Sequence, residues 1–116
     1  LGGLNMTSRD FARFGQMMLQ RGRWNGQQLV PEDWVIASTT ASAPTAADQY
    51  GYGFQWWLPR DARPREYMGR GIYGQYLYIS EPQGVVIAVT AVDSRFRDKA
   101  VQRRNVEMFR DIADGL

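Results

Sequence analysis

Neither cysteine nor histidine occurs in the 116 residues, and lysine occurs once, as Lys99. The missing cysteines exclude disulfides, thiolate zinc sites and a cysteine nucleophile, although a disulfide-free protein can live in any compartment. The missing histidines remove the commonest metal ligand and general base, and with them any Ser-His-Asp triad built within the chain. No metal and no cofactor is expected. Long apolar runs are also lacking, since nothing approaches the roughly 18 unbroken apolar residues of a membrane span. The start, Leu1-Gly2-Gly3-Leu4, has neither an initiator Met nor a basic-then-apolar leader, so it is expected to be a cut within a longer protein. The compartment stays open, with the periplasm, the exterior and the cytoplasm all compatible.

A large charge surplus is lacking as well. Fourteen basic residues face twelve acidic ones for a net charge of +2, and every basic residue but Lys99 is arginine. Arg95, Arg97, Arg103, Arg104 and Arg110 are interleaved with Asp98, Glu107, Asp111 and Asp114, which reads as a solvated helix face and not as a nucleic-acid surface. What remains has an ordinary apolar fraction and one domain's length, enough to bury a core.

Local signals give the element order. "NMTSRDFARFGQMMLQRG" reads as a helix capped by Thr7 or Ser8, with Asp10 placed as in a capping box and Gly22 placed to end it in a left-handed conformation. Phe11, Phe14 and Met18 form its apolar stripe, and Gly15 on the same side implies a close neighbour. Asn25-Gly26 predicts a two-residue hairpin turn. Pro31 fits the start of a short helix with Glu32 and Asp33 near its positive end and Trp34 and Val35 available for burial. Residues 39–49 read as a polar loop, and "YGYGFQWWLP" as an aromatic strand stopped by Pro59.

From Glu66 the chain is expected to run extended to Ile79, interrupted by glycines. The continuous apolar run of residues 85–92 suits a strand covered on both faces. From Asp98 a terminal helix should bury Val101, Met108, Phe109, Ile112 and Leu116. The whole is an α/β (α+β) arrangement, an antiparallel sheet of at least three strands covered by helices. It is read as a single partial domain over residues 1–116. The terminal helix should cover one face, while the first two helices look insufficient for the other.

"GRGIYGQYLYI", residues 69–79, is the densest signal. Gly69, Gly71 and Gly74 strip side chains where a strand begins, which marks either a bulge or a place where a ligand approaches the backbone closely. Phosphate loops and dinucleotide fingerprints need a helix after the glycines, whereas Tyr76, Leu77, Tyr78 and Ile79 continue as a strand. Tyr73 could line a pocket or simply pack. Gln75 could orient a substrate or satisfy backbone groups. Arg70 could offer a charge to a ligand, or point to the opposite face of its strand. The "YGYGFQWW" aromatics suit a sheet core, or alternatively a platform for a peptide or glycan in a non-catalytic binding module.

Taken in order, "GGLNMTSRDFARFGQMMLQRGRWNGQQLVPEDWV", "YGYGFQWW" and "GRGIYGQYLYISEPQGVVIAVTAV" resemble the C-terminal part of the serine β-lactamase-like hydrolases. That superfamily includes penicillin-binding proteins, class C β-lactamases and related esterases, and the likeness is strongest to its 6-aminohexanoate-oligomer hydrolase branch. The resemblance implies the β-lactamase/transpeptidase-like fold and cleavage of an amide or ester through an acyl-enzyme. It implies a serine from a Ser-x-x-Lys motif, with the Lys and a Tyr as bases, so no histidine is required. It also implies that Gly69-Arg70-Gly71 stands where the family has Lys or His, a small residue and Gly, and that the Ile72 backbone N–H donates to the oxyanion. Gly69, Arg70, Gly71, Tyr73, Gly74 and Gln75 would then border the substrate.

Two departures qualify this. The cationic or imidazole position is Gly69, which puts penicillin-type carboxylate recognition in doubt. Ser-x-x-Lys is absent, since the residue three before Lys99 is Phe96. The nucleophile is therefore expected in an N-terminal portion of the same protein, the implied partner, and the 116 residues alone should be inert toward a small amide or ester.

Overall fold

A computed structural model describes residues 3–116. Helix α1 (Ser8–Leu19) begins where Thr7 accepts a hydrogen bond from the Asp10 N–H at 3.1 Å. The reciprocal half of the capping box is not made, because the Asp10 carboxylate turns to Arg13 at 2.8 Å. The helix ends as expected, with Gly22 at φ 89° and its N–H on the Met17 carbonyl. Strands β1 (Arg23–Trp24) and β2 (Gln27–Gln28) form the predicted hairpin, with Asn25 at φ 49° and Gly26 at φ 75°. Pro31 stands one residue before helix α2 (Glu32–Ser38).

The main sheet is antiparallel and has five strands in sequence order: β3 (Gly51–Tyr52), β4 (Trp57–Leu58), β5 (Glu66–Gly71), β6 (Gln75–Ser80) and β7 (Val85–Val89). Helix α3 (Lys99–Gly115) closes the chain, capped by Asp98, which accepts from the Ala100 and Val101 N–H groups. The faces of β6 are dealt out by pleat. Tyr76 and Tyr78 join Met68, Val85, Val106, Phe109 and Ala113 in the core under α3. Leu77 and Ile79 join Tyr67, Met18 of α1 and Val35 of α2 in the core on the other side. The first two helices thus do cover the second face, though Val86 and Ala88 of β7 stay half-buried there.

Several expectations are corrected. The aromatic stretch is not one strand but the two short strands β3 and β4, because Gly53 packs so closely on the end of α2 that a side chain there would collide with the Ser38 carbonyl, and Gln55 takes φ 69°. The chain from Glu66 to Ile79 is not one extended segment but a hairpin. The strand over residues 85–92 stops at Val89, and Val92 is 94% exposed. The buried face of α3 is Val101, Val106, Phe109 and Ala113, residues spaced to fall on one side of the helix, while Met108, Ile112 and Leu116 are exposed. Trp34 likewise stays outside, against Phe54, while Val35 is buried.

Gly15 has the close neighbours its position implied. A Cβ there would lie 2.6 Å from Val86 Cγ1 and 2.8 Å from Leu77 Cδ1. Gly15→Leu should therefore lower stability by about 1–3 kcal/mol through overpacking, read as a lower urea midpoint at unchanged slope.

Candidate active site at the β5–β6 turn

The glycines serve a chain reversal. Gly71 pairs with Gln75, and the Gln75 N–H donates to the Ile72 carbonyl. Between them Tyr73 (φ 59°, ψ 20°) and Gly74 (φ 86°) are both left-handed, the pair of conformations that defines a type I′ turn. Glycine accepts this freely, but for tyrosine it costs about 1–2 kcal/mol. Ile72 is left as one residue outside the ladder at the tip, with its side chain 60% exposed.

The edge beside this tip is open. β4 pairs with β5 only at Trp57↔Met68, so Gly69, Arg70 and Gly71 have ladder partners on the β6 side alone. A Cβ on Gly69 would face Leu77 and the Trp56 ring, on the side of α1. Trp56 there stacks on Phe14 at 6.2 Å and meets Tyr67 edge-on at 5.2 Å. Arg70 turns to the other face, where its guanidinium lies 4.5 Å from the Tyr50 ring centroid and 5.0 Å from that of Trp57.

Gln75 spends its side chain on the backbone: Nε2 donates to the Ala91 carbonyl and Oε1 accepts from the Ala91 N–H at 3.2 Å. The Tyr73 carbonyl accepts from the Asp93 N–H at 2.9 Å, and the Tyr73 ring meets Phe96 at 5.3 Å. Asp93 is held below the ordinary carboxyl range, first by the Arg95 N–H and then by the Arg95 side chain. Ala91, Asp93 and Phe96 escaped the sequence reading, since nothing local marks a residue 16 or more positions away as a support for a turn.

Six of the seven residues singled out in the sequence thus gather on one hairpin tip and its open edge, while Arg70 departs to the opposite face. Two hollows, of 430 and 260 Å³, lie on the α3 side around Tyr50, Arg60 and Lys99, and Ile72 lines neither. Of the "YGYGFQWW" aromatics, Tyr50 and Trp57 pack against the core under α3 and Trp56 against the other, while Phe54 is exposed. Among the described residues no group of three or more acidic side chains is placed to hold a metal, and no helix is long and apolar enough to cross a membrane.

Comparison with known proteins agrees with this architecture. Residues 1–107 match the Beta-lactamase family model. The chain is 34% identical over 95 residues to the 6-aminohexanoate-dimer hydrolase of Paenarthrobacter ureafaciens, covering 74% of this chain and 24% of that protein. It superposes with a TM-score of 0.74 and 28% identity on a Bacillus anthracis structure described as a candidate 6-aminohexanoate-dimer hydrolase, covering 96% of this chain and 29% of that one. The chain spans about a quarter to a third of the length of these relatives. With its helix-covered antiparallel sheet and its ordered motifs, it belongs to the beta-lactamase family of the serine hydrolase superfamily.

Proposed function

We propose that this chain forms the oxyanion side of a serine hydrolase site that cleaves an amide or ester through an acyl-enzyme. The observation that carries the reading is the Ile72 turn, a backbone tip held on a sheet beside an edge left open at Gly69–Gly71. As the serine Oγ attacks the substrate carbonyl carbon, negative charge gathers on the carbonyl oxygen. A fixed N–H aimed at that oxygen stabilises it by about 3 kcal/mol without reorganising at the moment of reaction. The bare backbone of Gly69 and Gly71 lets the substrate lie against the strand. Tyr73 and Gly74 shape the tip.

The attacking serine and its bases come from a part of the protein outside these residues, since no serine here is followed by lysine at the third position. An amide substrate is favoured, because both relatives are described as hydrolases of 6-aminohexanoate dimer. Recognition of a substrate carboxylate by this strand is not favoured. Gly69 offers no cation, and Arg70 lies on the opposite face. A p-nitrophenyl ester and a chromogenic cephalosporin, offered to the 116 residues and to the longer protein that carries them, test the division of labour. Turnover is expected from the longer protein only, faster with the ester; turnover by the 116 residues alone overturns it.

A further inference from the structure

Three consecutive residues of the turn lean on the segment that leaves β7. A Cβ on Gly74 would lie 3.6 Å from Ala91 Cβ and 3.8 Å from Asp93 Cβ, ordinary contact distances. The Tyr73 carbonyl takes the Asp93 N–H, and Gln75 holds both backbone groups of Ala91. The β6–β7 ladder ends at Tyr76↔Val89, and past it the backbone bond from the Asp93 N–H to the Tyr73 carbonyl stands apart from the ladder, with Gln75 and Ala91 between them. The Gln75 carboxamide, a donor and an acceptor spaced like a peptide unit, continues that ladder by one rung.

The rung matters because of what it restrains. Tyr73 is held left-handed at a cost that persists only where surrounding contacts over-determine it. Ile72 sits directly before Tyr73, so any relaxation of the turn swings the Ile72 amide. A displacement of about 1 Å at a reacting centre can cost about a hundredfold in rate.

We infer that Gln75 is a positioning residue for the Ile72 amide, acting through Ala91 and not through contact with substrate. Both ends of its carboxamide are engaged with Ala91, which is why it is not assigned to the substrate. This inference rests on the reading of Ile72 as the oxyanion donor, and the experiment separates the two.

In the full-length enzyme, Gln75→Ala should lower kcat about tenfold with KM changed less than about twofold, the signature of an interaction felt in the transition state. Gln75→Glu supplies the discriminating readout. As a carboxylate it still accepts from the Ala91 N–H but sets a lone pair against the Ala91 carbonyl. Once protonated it donates there and restores the rung. Burial and the facing carbonyl raise the pKa of the introduced carboxyl above its ordinary value of about 4.3. The kcat of Gln75→Glu relative to the native enzyme should therefore climb as pH falls. Asp93, two residues beyond Ala91 and paired with Arg95, is held below the ordinary carboxyl range by the Arg95 N–H and side chain.

A role confined to general stability would lower the unfolding temperature of both variants without this acid recovery. Native kcat in Gln75→Ala, or a deficit in Gln75→Glu that ignores pH, overturns the inference. Hydrogen exchange makes the separation. If Gln75→Ala speeds exchange of the Ala91 and Asp93 amides while Ile72→Pro leaves kcat at its native value, the brace stands and the oxyanion reading falls. Unaltered exchange in Gln75→Ala removes the brace itself.

Discussion

If Ile72 is the proposed oxyanion donor, Ile72→Pro should lower kcat of the longer protein about 10²–10³-fold, the loss expected when one such donor is deleted, while Ile72→Ala should leave it within about threefold of the native value. Proline deletes the N–H and fixes φ at about −65°. Gly71, at φ −128° and ψ 173°, already has the extended backbone that a residue before proline prefers. Alanine keeps the N–H and gives up a side chain that is largely in solvent. The two variants therefore share the loss of the isoleucine side chain and differ in the amide. Equal activity in both would refute the assignment of this amide, and equal unfolding temperatures would show that the proline effect is not one of folding.

The largest effect on stability is expected at Arg110. Glu66 is 1% exposed, yet its carboxylate is fully used: it accepts from Tyr78 Oη at 2.7 Å, from the Arg63 N–H at 2.8 Å, and from Arg110 Nε and Nη2, each at 2.8 Å. Arg110 also reaches Asp61 at 3.1 Å. Arg110→Ala strands a buried charge and should cost about 3–5 kcal/mol, while replacing Glu66 and Arg110 together by leucines should cost much less. Urea unfolding of the single and double variants measures both.

The same site gives opposite pH dependences in the two backgrounds. Burial alone would raise the Glu66 pKa, but the hydrogen bonds from Arg110, Tyr78 and the Arg63 N–H outweigh it and the net shift is downward. A carboxyl with a depressed folded pKa contributes its full stability above the unfolded value, near 4.3, and loses it as pH falls through the folded pKa. The native protein should therefore weaken on acidification below about pH 5. In Arg110→Ala burial prevails and the Glu66 pKa rises, so this group favours folding when protonated. The deficit against the native protein should shrink as pH is lowered. A deficit independent of pH would mean that Glu66 is not the charge left stranded.

Where the sequence carried a complete local instruction, the structure follows it. Thr7, Asn25-Gly26 and Asp98 each act within a few residues of themselves, and each cap or turn is found. The run from Val85 correctly called for cover on both faces. The misreadings come from non-local causes. Nothing in "GIYGQ" marks Tyr73 as left-handed, because the compensation is supplied by Asp93 and Phe96, about 20 residues later. The aromatic stretch alternates like a strand, and only the approach of Gly53 to the end of α2 divides it. On α3 apolar residues occupy more than one face, so periodicity alone could not choose Ala113 over Met108. For the candidate site, the glycines stood out as a stripped strand entry and Ile72 followed from the family resemblance alone, whereas the turn that presents them was not legible.

The alternation along β6 has an effect on accuracy. Its large phenolic rings all belong to one layer and its branched aliphatics to the other. Sliding this strand by a single position would ask each layer to exchange ring volume for aliphatic volume and would push tyrosine hydroxyls toward α1. Such a misalignment is penalised along the strand's whole length. The loop it carries is therefore indexed by bulk fit far from the reaction, in steps no finer than one residue's rise of about 3.4 Å, and only the adjustment within that step is left to contacts at the loop.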